Sequence, residues 1–142
     1  MNETKPSAQD IPFVKAAVRE ALGLPYFRYI PLEAVAAAAA AFEYGANKYE
    51  PRNWERGLPR QQLIDSLRRH LDDYERGANY DDGLNGSNLP QVCMIMASAM
   101  MLAASDIRNI GEDNRIPADP NTMTGKEMAT WISKALERTR KE

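Results

Sequence analysis

The sequence predicts an all-α fold with no sheet, and three observations carry that prediction. Apolar side chains recur at spacings of three and four through several long segments, no run alternates as a half-buried strand would, and proline or glycine bounds the periodic segments. A chain of 142 residues is one domain by ordinary scaling, and 44% hydrophobic with 27% charged residues is the composition of a globular protein that builds a core. The expected organisation is a flexible lead-in over residues 1–10, a single helical domain over 11–116, and a turn-rich linker with a C-terminal helix over 117–142.

The lead-in is polar and lacks periodicity. A short helix is expected from about Pro12 to Leu22, with Asp10 as its cap, Phe13, Ala17 and Ala21 on one face, and Gly23 and Pro25 ending it. Tyr29 to Pro31 lead into the next helix, whose apolar positions are Leu32, Val35, Ala36, Ala39, Phe42 and Ala46. On that periodicity Glu43 falls on the buried face, where a carboxylate needs a partner. The alanines from Ala36 to Ala41 favour helix and leave little bulk, which suits close helix packing or a ligand groove.

The segment GANKYEPRNWERG, Gly45 to Gly57, has glycine at both ends and Pro51 inside, the mark of a helix end and a structured loop. A helix from about Pro59 to Arg76 places Leu63, Leu67, His70, Leu71 and Tyr74 on one face, so His70 points inward. Gly77 to Leu89 is rich in glycine, asparagine and aspartate and long for a connection. The helix from about Pro90 to Ile110 carries two apolar stripes, one with Cys93, Met96, Met100 and Ile107 and one with Val92, Ile95, Ala99 and Leu102. A helix apolar on most sides is central, and the surplus predicts a homo-oligomer, a dimer or higher, with Met94, Met96, Met100 and Met101 available to the interface. After a turn-rich stretch, Thr124 caps a last helix with Glu127 in capping-box position, Met128, Ile132 and Leu136 as its stripe, and Trp131 beside it.

Composition excludes several functions. A net charge of -2 gives no positive field for a nucleic-acid polymer. One cysteine, Cys93, and one histidine, His70, exclude an intrachain disulfide and a His/Cys zinc site within one chain. The longest apolar stretch, Val92 to Ala104, is interrupted only by Ser98 and falls short of the roughly 20 residues a bilayer requires. With a polar N-terminus and no signal-peptide pattern, a cytoplasmic protein without membrane contact is expected.

No GxSxG, Walker A, GxGxxG or CxxC pattern is present, so nucleophilic catalysis has no support. The carboxylates Glu33, Glu43, Asp65, Asp72, Asp73, Glu75, Asp81 and Asp82 offer oxygen ligands for a cation bound with a polyphosphate, or simply solvated helix faces paired with arginines. Lys48, Tyr49, Arg52, Asn53, Trp54 and Arg56 combine cations for phosphates with rings that stack on a base. The alternative is that Tyr49 and Trp54 anchor the loop to the core. His70 has the same ambiguity, between a base and a hydrogen-bonded core residue.

The stretches YGANKYEPRNWERG, RRHL at Arg68 to Leu71, and SNLPQVCMIMASAMML followed by IRNIGEDNR resemble the phage dATP/dGTP diphosphohydrolase family. This is a MazG-like branch of the all-α nucleoside triphosphate pyrophosphohydrolases, and the likeness runs from Ile30 to about Arg115. The family pattern GAxKYxxxNWxxG is met by Gly45, Ala46, Lys48, Tyr49, Asn53, Trp54 and Gly57. The resemblance implies an oligomeric MazG-like helical bundle that binds a small-molecule purine nucleotide and uses Mg²⁺ or Mn²⁺ to release pyrophosphate, in the host cytoplasm if phage-encoded. With the residue reading, the candidates are Glu43 and His70 for catalysis, Lys48, Tyr49, Arg52, Asn53, Trp54 and Arg69 for the nucleotide, and Glu33, Glu43 and Asp81 for metal. The chain departs from the family at Ala78, Gln91 and Met94, where the pattern has a glutamate and then histidine or aspartate. Two functions are therefore expected: a metal-dependent dNTP pyrophosphohydrolase, or a catalytically silent protein that sequesters a nucleotide, such as a nucleotide-derived signal of host defence.

Overall fold

The computed structural model describes residues 25–116 and 124–140; the lead-in and the helix expected from Pro12 to Leu22 lie outside the described residues. Four helices follow in order, α1 (Leu32–Lys48), α2 (Arg60–Glu75), α3 (Gln91–Arg108) and α4 (Gly125–Thr139), with short 3-10 turns at Phe27–Tyr29 and Asn53–Arg56. The described residues contain no strand; Tyr80 and Pro90 form an isolated antiparallel bridge. No helix among them is long and apolar enough to cross a membrane. The all-α expectation therefore holds.

Helix starts follow the punctuation in the sequence. Pro31, Pro59 and Pro90 occupy the N-cap positions of α1, α2 and α3, each in an extended backbone conformation that the following helix leaves. At α4 the capping box is complete: Glu127 N–H donates to Thr124 Oγ1 at 3.2 Å and Thr124 N–H donates to Glu127 Oε2 at 2.8 Å. Asn109 ends α3 in the left-handed conformation.

Helix α3 is central, packing on α2, on α1 and, near its C-terminal end, on α4. Gly125 is required at the last contact, because a Cβ there would collide with the Ile107 carbonyl. The buried apolar core is small, built from Ala38, Ala41, Leu63, Cys93 and Ala97. Phe42, Leu89, Met94 and Met101 close around Ala41, Cys93 and Ala97.

The buried face of α1 differs from the expected one. Ala38 and Ala41 point inward, whereas Leu32, Val35, Ala36, Ala39 and Glu43 are exposed, so Glu43 is not a buried carboxylate. Six consecutive alanines make opposite faces equally apolar, and the phase taken from Leu32 and Val35 is that of a face this chain leaves open. Likewise Val92, Met100 and Ile107 of α3 are exposed, while Gln91, Ser98 and Ser105 are buried.

A clip joins the start of α2 to the end of α3. Arg60, 4% exposed, donates from Nε to Asp106 Oδ1 at 2.8 Å and from Nη1 to the Ile110 carbonyl at 2.6 Å. Its backbone N–H donates to the Glu112 carbonyl at 2.9 Å. Gly57, with φ of 100°, lies against Gly111; a Cβ on it would sit 2.7 Å from the Gly111 nitrogen. These contacts fix the loop that precedes α2.

Candidate functional site

The C-terminal half of α1, the loop after it, the inner face of α2, residues 81–86 and the middle of α3 enclose a cleft of about 840 Å³. A volume of this size accommodates a small organic ligand. The loop from Tyr49 to Gly57 forms one wall, with Arg52 in a left-handed conformation at the turn into Asn53–Arg56. The Trp54 ring is held between Phe42, 5.9 Å away between centroids, and the Arg108 guanidinium, 5.4 Å from its centroid. Glu55 ties the wall down through ion pairs with Arg52 at 3.3 Å and Arg108 at 3.2 Å, and Arg56 pairs with Glu50. Trp54 thus anchors the wall while lining the cleft.

Tyr49 behaves differently. It is 66% exposed at the cleft mouth, and Lys48 Nζ lies 5.4 Å from its ring and 5.9 Å from that of Tyr44. Such contacts restrain the ammonium without neutralising it. Neither Lys48 nor Arg69, which also lines the cleft, forms an ion pair among the described residues. The cleft therefore presents two positive charges ready for an anion, with Arg52 as a third that is shared with Glu55.

The opposite side is polar and ordered. His70 Nδ1 lies 2.8 Å from Gln91 Oε1, and Gln91 Nε2 donates to the Tyr80 carbonyl at 3.2 Å. The long loop folds around Asp81, whose Oδ2 accepts from both Ser87 N–H and Ser87 Oγ–H at 2.8 Å. Gly86 is required there, since a Cβ would run into the Asp81 carbonyl. Burial alone pushes the Asp81 carboxyl up, but the two Ser87 hydrogen bonds and the charges of His70 and Lys48 outweigh it and hold the group below its ordinary value.

Of the residues singled out from the sequence, the cleft brings together Glu43, Lys48, Tyr49, Arg52, Asn53, Trp54, Arg69, His70 and Asp81. Glu33 is left out: it stands in the first turn of α1, about 15 Å from Glu43 at the helical rise per residue. Among the described residues no three His, Cys, Asp or Glu side chains group to hold a metal ion. Asp81 already spends one oxygen on Ser87, Gln91 is turned to His70, and Met94 lines the cleft with a thioether. The described residues of one chain thus do not fit a divalent ion held by protein alone.

The cleft also contains Gln62, Ser66, Asn85 and Ser98, which the sequence did not single out. Ser98 had a signal, as the sole break in the apolar run of α3, and Ser66 had another, as a small polar residue three positions from Leu63 on the inward face of α2. Gln62 and Asn85 are indistinguishable in sequence from ordinary polar surface residues.

A family model described as dATP/dGTP diphosphohydrolase, N-terminal, matches residues 15–115, well over half of the chain, and contains every cleft residue named above. No curated protein and no solved structure matches the chain.

Proposed function

Because the chain belongs to the dATP/dGTP diphosphohydrolase N-terminal family, we propose that its cleft binds a purine deoxynucleoside triphosphate and cleaves it to the monophosphate and pyrophosphate. The observation that carries the reading is that one cleft is lined both by Lys48 and Arg69, which form no ion pair among the described residues, and by the exposed Tyr49. The triphosphate meets Lys48, Arg69 and Arg52, whose charges offset its own. The base stacks on Tyr49, and Asn53, which offers both a donor and an acceptor, reads its edge. Hydrolysis adds water at the α-phosphorus, breaks the bond to the oxygen bridging to the β-phosphorus, and releases pyrophosphate, with the water proton passing to Glu43 or His70.

A second reading, retention of the nucleotide without turnover, is favoured by one observation: among the described residues no three His, Cys, Asp or Glu side chains group to hold a metal ion. Titration calorimetry of dGTP and dATP, with and without Mn²⁺, followed by assay of the same mixtures for pyrophosphate, tests both readings. Binding with pyrophosphate release supports the enzyme, binding with intact nucleotide recovered supports sequestration, and no binding of either nucleotide removes both. The exposed apolar side chains Leu32 and Val35 on α1 and Met100 and Ile107 on α3 support assembly with a second copy. Sedimentation of Met100→Lys tests that contact: a shift to monomer is expected, and an unchanged oligomer would exclude this face.

A further inference from the structure

His70 is the single histidine of the chain, and its ring lines the cleft. Its Nδ1 faces Gln91 Oε1 at 2.8 Å. Gln91 is 2% exposed, and its backbone N–H is fixed on the Asn79 carbonyl at 2.9 Å. The orientation of its amide follows from the other end: the Tyr80 carbonyl can only accept, so the group 3.2 Å from it is the NH₂, and the amide oxygen is left facing the imidazole. An amide oxygen cannot donate, so the ring nitrogen opposite it carries the hydrogen. A neutral imidazole has one N–H, and its lone pair is therefore on Nε2. Nε2 has no hydrogen-bond partner among the described residues.

We infer that Gln91 is a positioning residue that holds His70 in the Nδ1–H tautomer and so presents the Nε2 lone pair to the cleft as an acceptor, for a water or for an N–H or O–H of the bound nucleotide. The occupant rests on the proposed nucleotide reading; the tautomer rests on the chain's own atoms. The pairing serves both protonation states. When Nε2 takes a proton from water, the hydroxide oxygen goes to the electrophile, the ring becomes an imidazolium with two donors, and Gln91 Oε1 continues to accept from Nδ1 without reorganisation. Gln91 therefore does two things at once, bracing the start of α3 against the loop and choosing which nitrogen of His70 works.

The single histidine makes the test unambiguous. Long-range ¹⁵N–¹H correlation spectra of the full-length chain at about pH 8.5, two units above the ordinary histidine value, read the tautomer directly. Wild type should show a protonated Nδ1 and an unprotonated Nε2. Gln91→Met, of similar volume without an acceptor, should lose that pattern and weaken dGTP binding about tenfold, the scale of one hydrogen bond. A protonated Nε2 in wild type overturns the inference, as does an unchanged tautomer in Gln91→Met. Should Gln91→Met fail to fold, the wild-type spectrum still decides. Adding dGTP to wild type should move the Nε2 resonance far more than Nδ1, and an unmoved Nε2 with dGTP bound overturns the acceptor role. Absence of dGTP binding by calorimetry defeats the proposed function instead, while the tautomer is still decided by the ligand-free spectra.

Discussion

The segment from Gly45 to Gly57 is continuous in sequence, yet its two halves have opposite surroundings. In the second half Trp54 is wedged between Phe42 and Arg108, Glu55 holds two arginines, and Gly57 touches Gly111. In the first half Lys48 lies over the rings of Tyr49 and Tyr44 and forms no ion pair among the described residues. The second half secures the loop to the end of α3, and the first half, carried on that secured loop, is left for a ligand. A run of residues typical of a family therefore need not share one role, and the partners of each side chain separate scaffold from site.

The largest test of this division is Arg60→Met. It removes the guanidinium that bonds Asp106 and the Ile110 carbonyl, and so loosens the segment against which Gly57 and Trp54 are set. Removing one partner from a buried pair costs about 3 kcal/mol, and the partial exposure of Asp106 places this case at the lower end, with a fall in Tm of roughly 10 °C for a domain of this size. An unchanged thermal melt by circular dichroism would show that the clip carries no stability. Next comes Trp54→Ala, expected to cost about 2 kcal/mol, less than for a fully buried ring, because Trp54 packs on Phe42 while partly exposed. If Trp54 acts only on the ligand, its melt will match wild type and only nucleotide affinity will fall.

The opposite pattern is expected for the first half. Lys48→Ala and Arg69→Ala should each weaken dGTP binding about tenfold, less at high salt, while leaving stability within about 0.5 kcal/mol of wild type. Calorimetry at two salt concentrations alongside thermal melts separates the effects. Equal losses of affinity and of stability in these variants would erase the distinction between the two halves.

Local features made much of this visible in sequence. Pro31, Pro59, Pro90 and Thr124 mark helix starts, and the Gly45 to Gly57 motif is contiguous, so both the helices and one wall of the cleft were legible. The inward face of α1 was not, because alanine surrounds the helix and gives no contrast. Arg60 was not legible either: it looks like a surface arginine at a helix start until Asp106, 46 residues away, is brought beside it. Glu33 and Glu43 shared a helix in sequence, but only the three-dimensional arrangement shows that one helix end reaches the cleft.

Asp81 sharpens the comparison from the other side, as a cleft residue whose bonds are those of scaffold. Burial raises its proton affinity, yet the N–H and hydroxyl of Ser87, aided by His70 and Lys48, leave the folded-state value below the ordinary 3.8. The folded chain then favours the ionised form more than the unfolded chain does, so this contribution to stability is present above 3.8 and is lost as pH falls through the lower folded-state value. Asp113, lowered to about 2 chiefly by its hydrogen bond from Arg115, acts in the same sense between 3.8 and about 2. Ser87→Ala removes the hydroxyl donor to Asp81 and should destabilise by under about 1 kcal/mol at pH 7. The gap from wild type should be smaller at pH 3, below the ordinary 3.8 of the carboxyl, than at pH 7, while Asp113 affects both chains alike. Paired thermal melts at the two pH values measure this directly. A gap that stays constant or widens in acid would mean that the Ser87 hydroxyl matters through its 3.2 Å contact with the Leu89 N–H instead, and Asp81 would rejoin the groups free to meet a ligand.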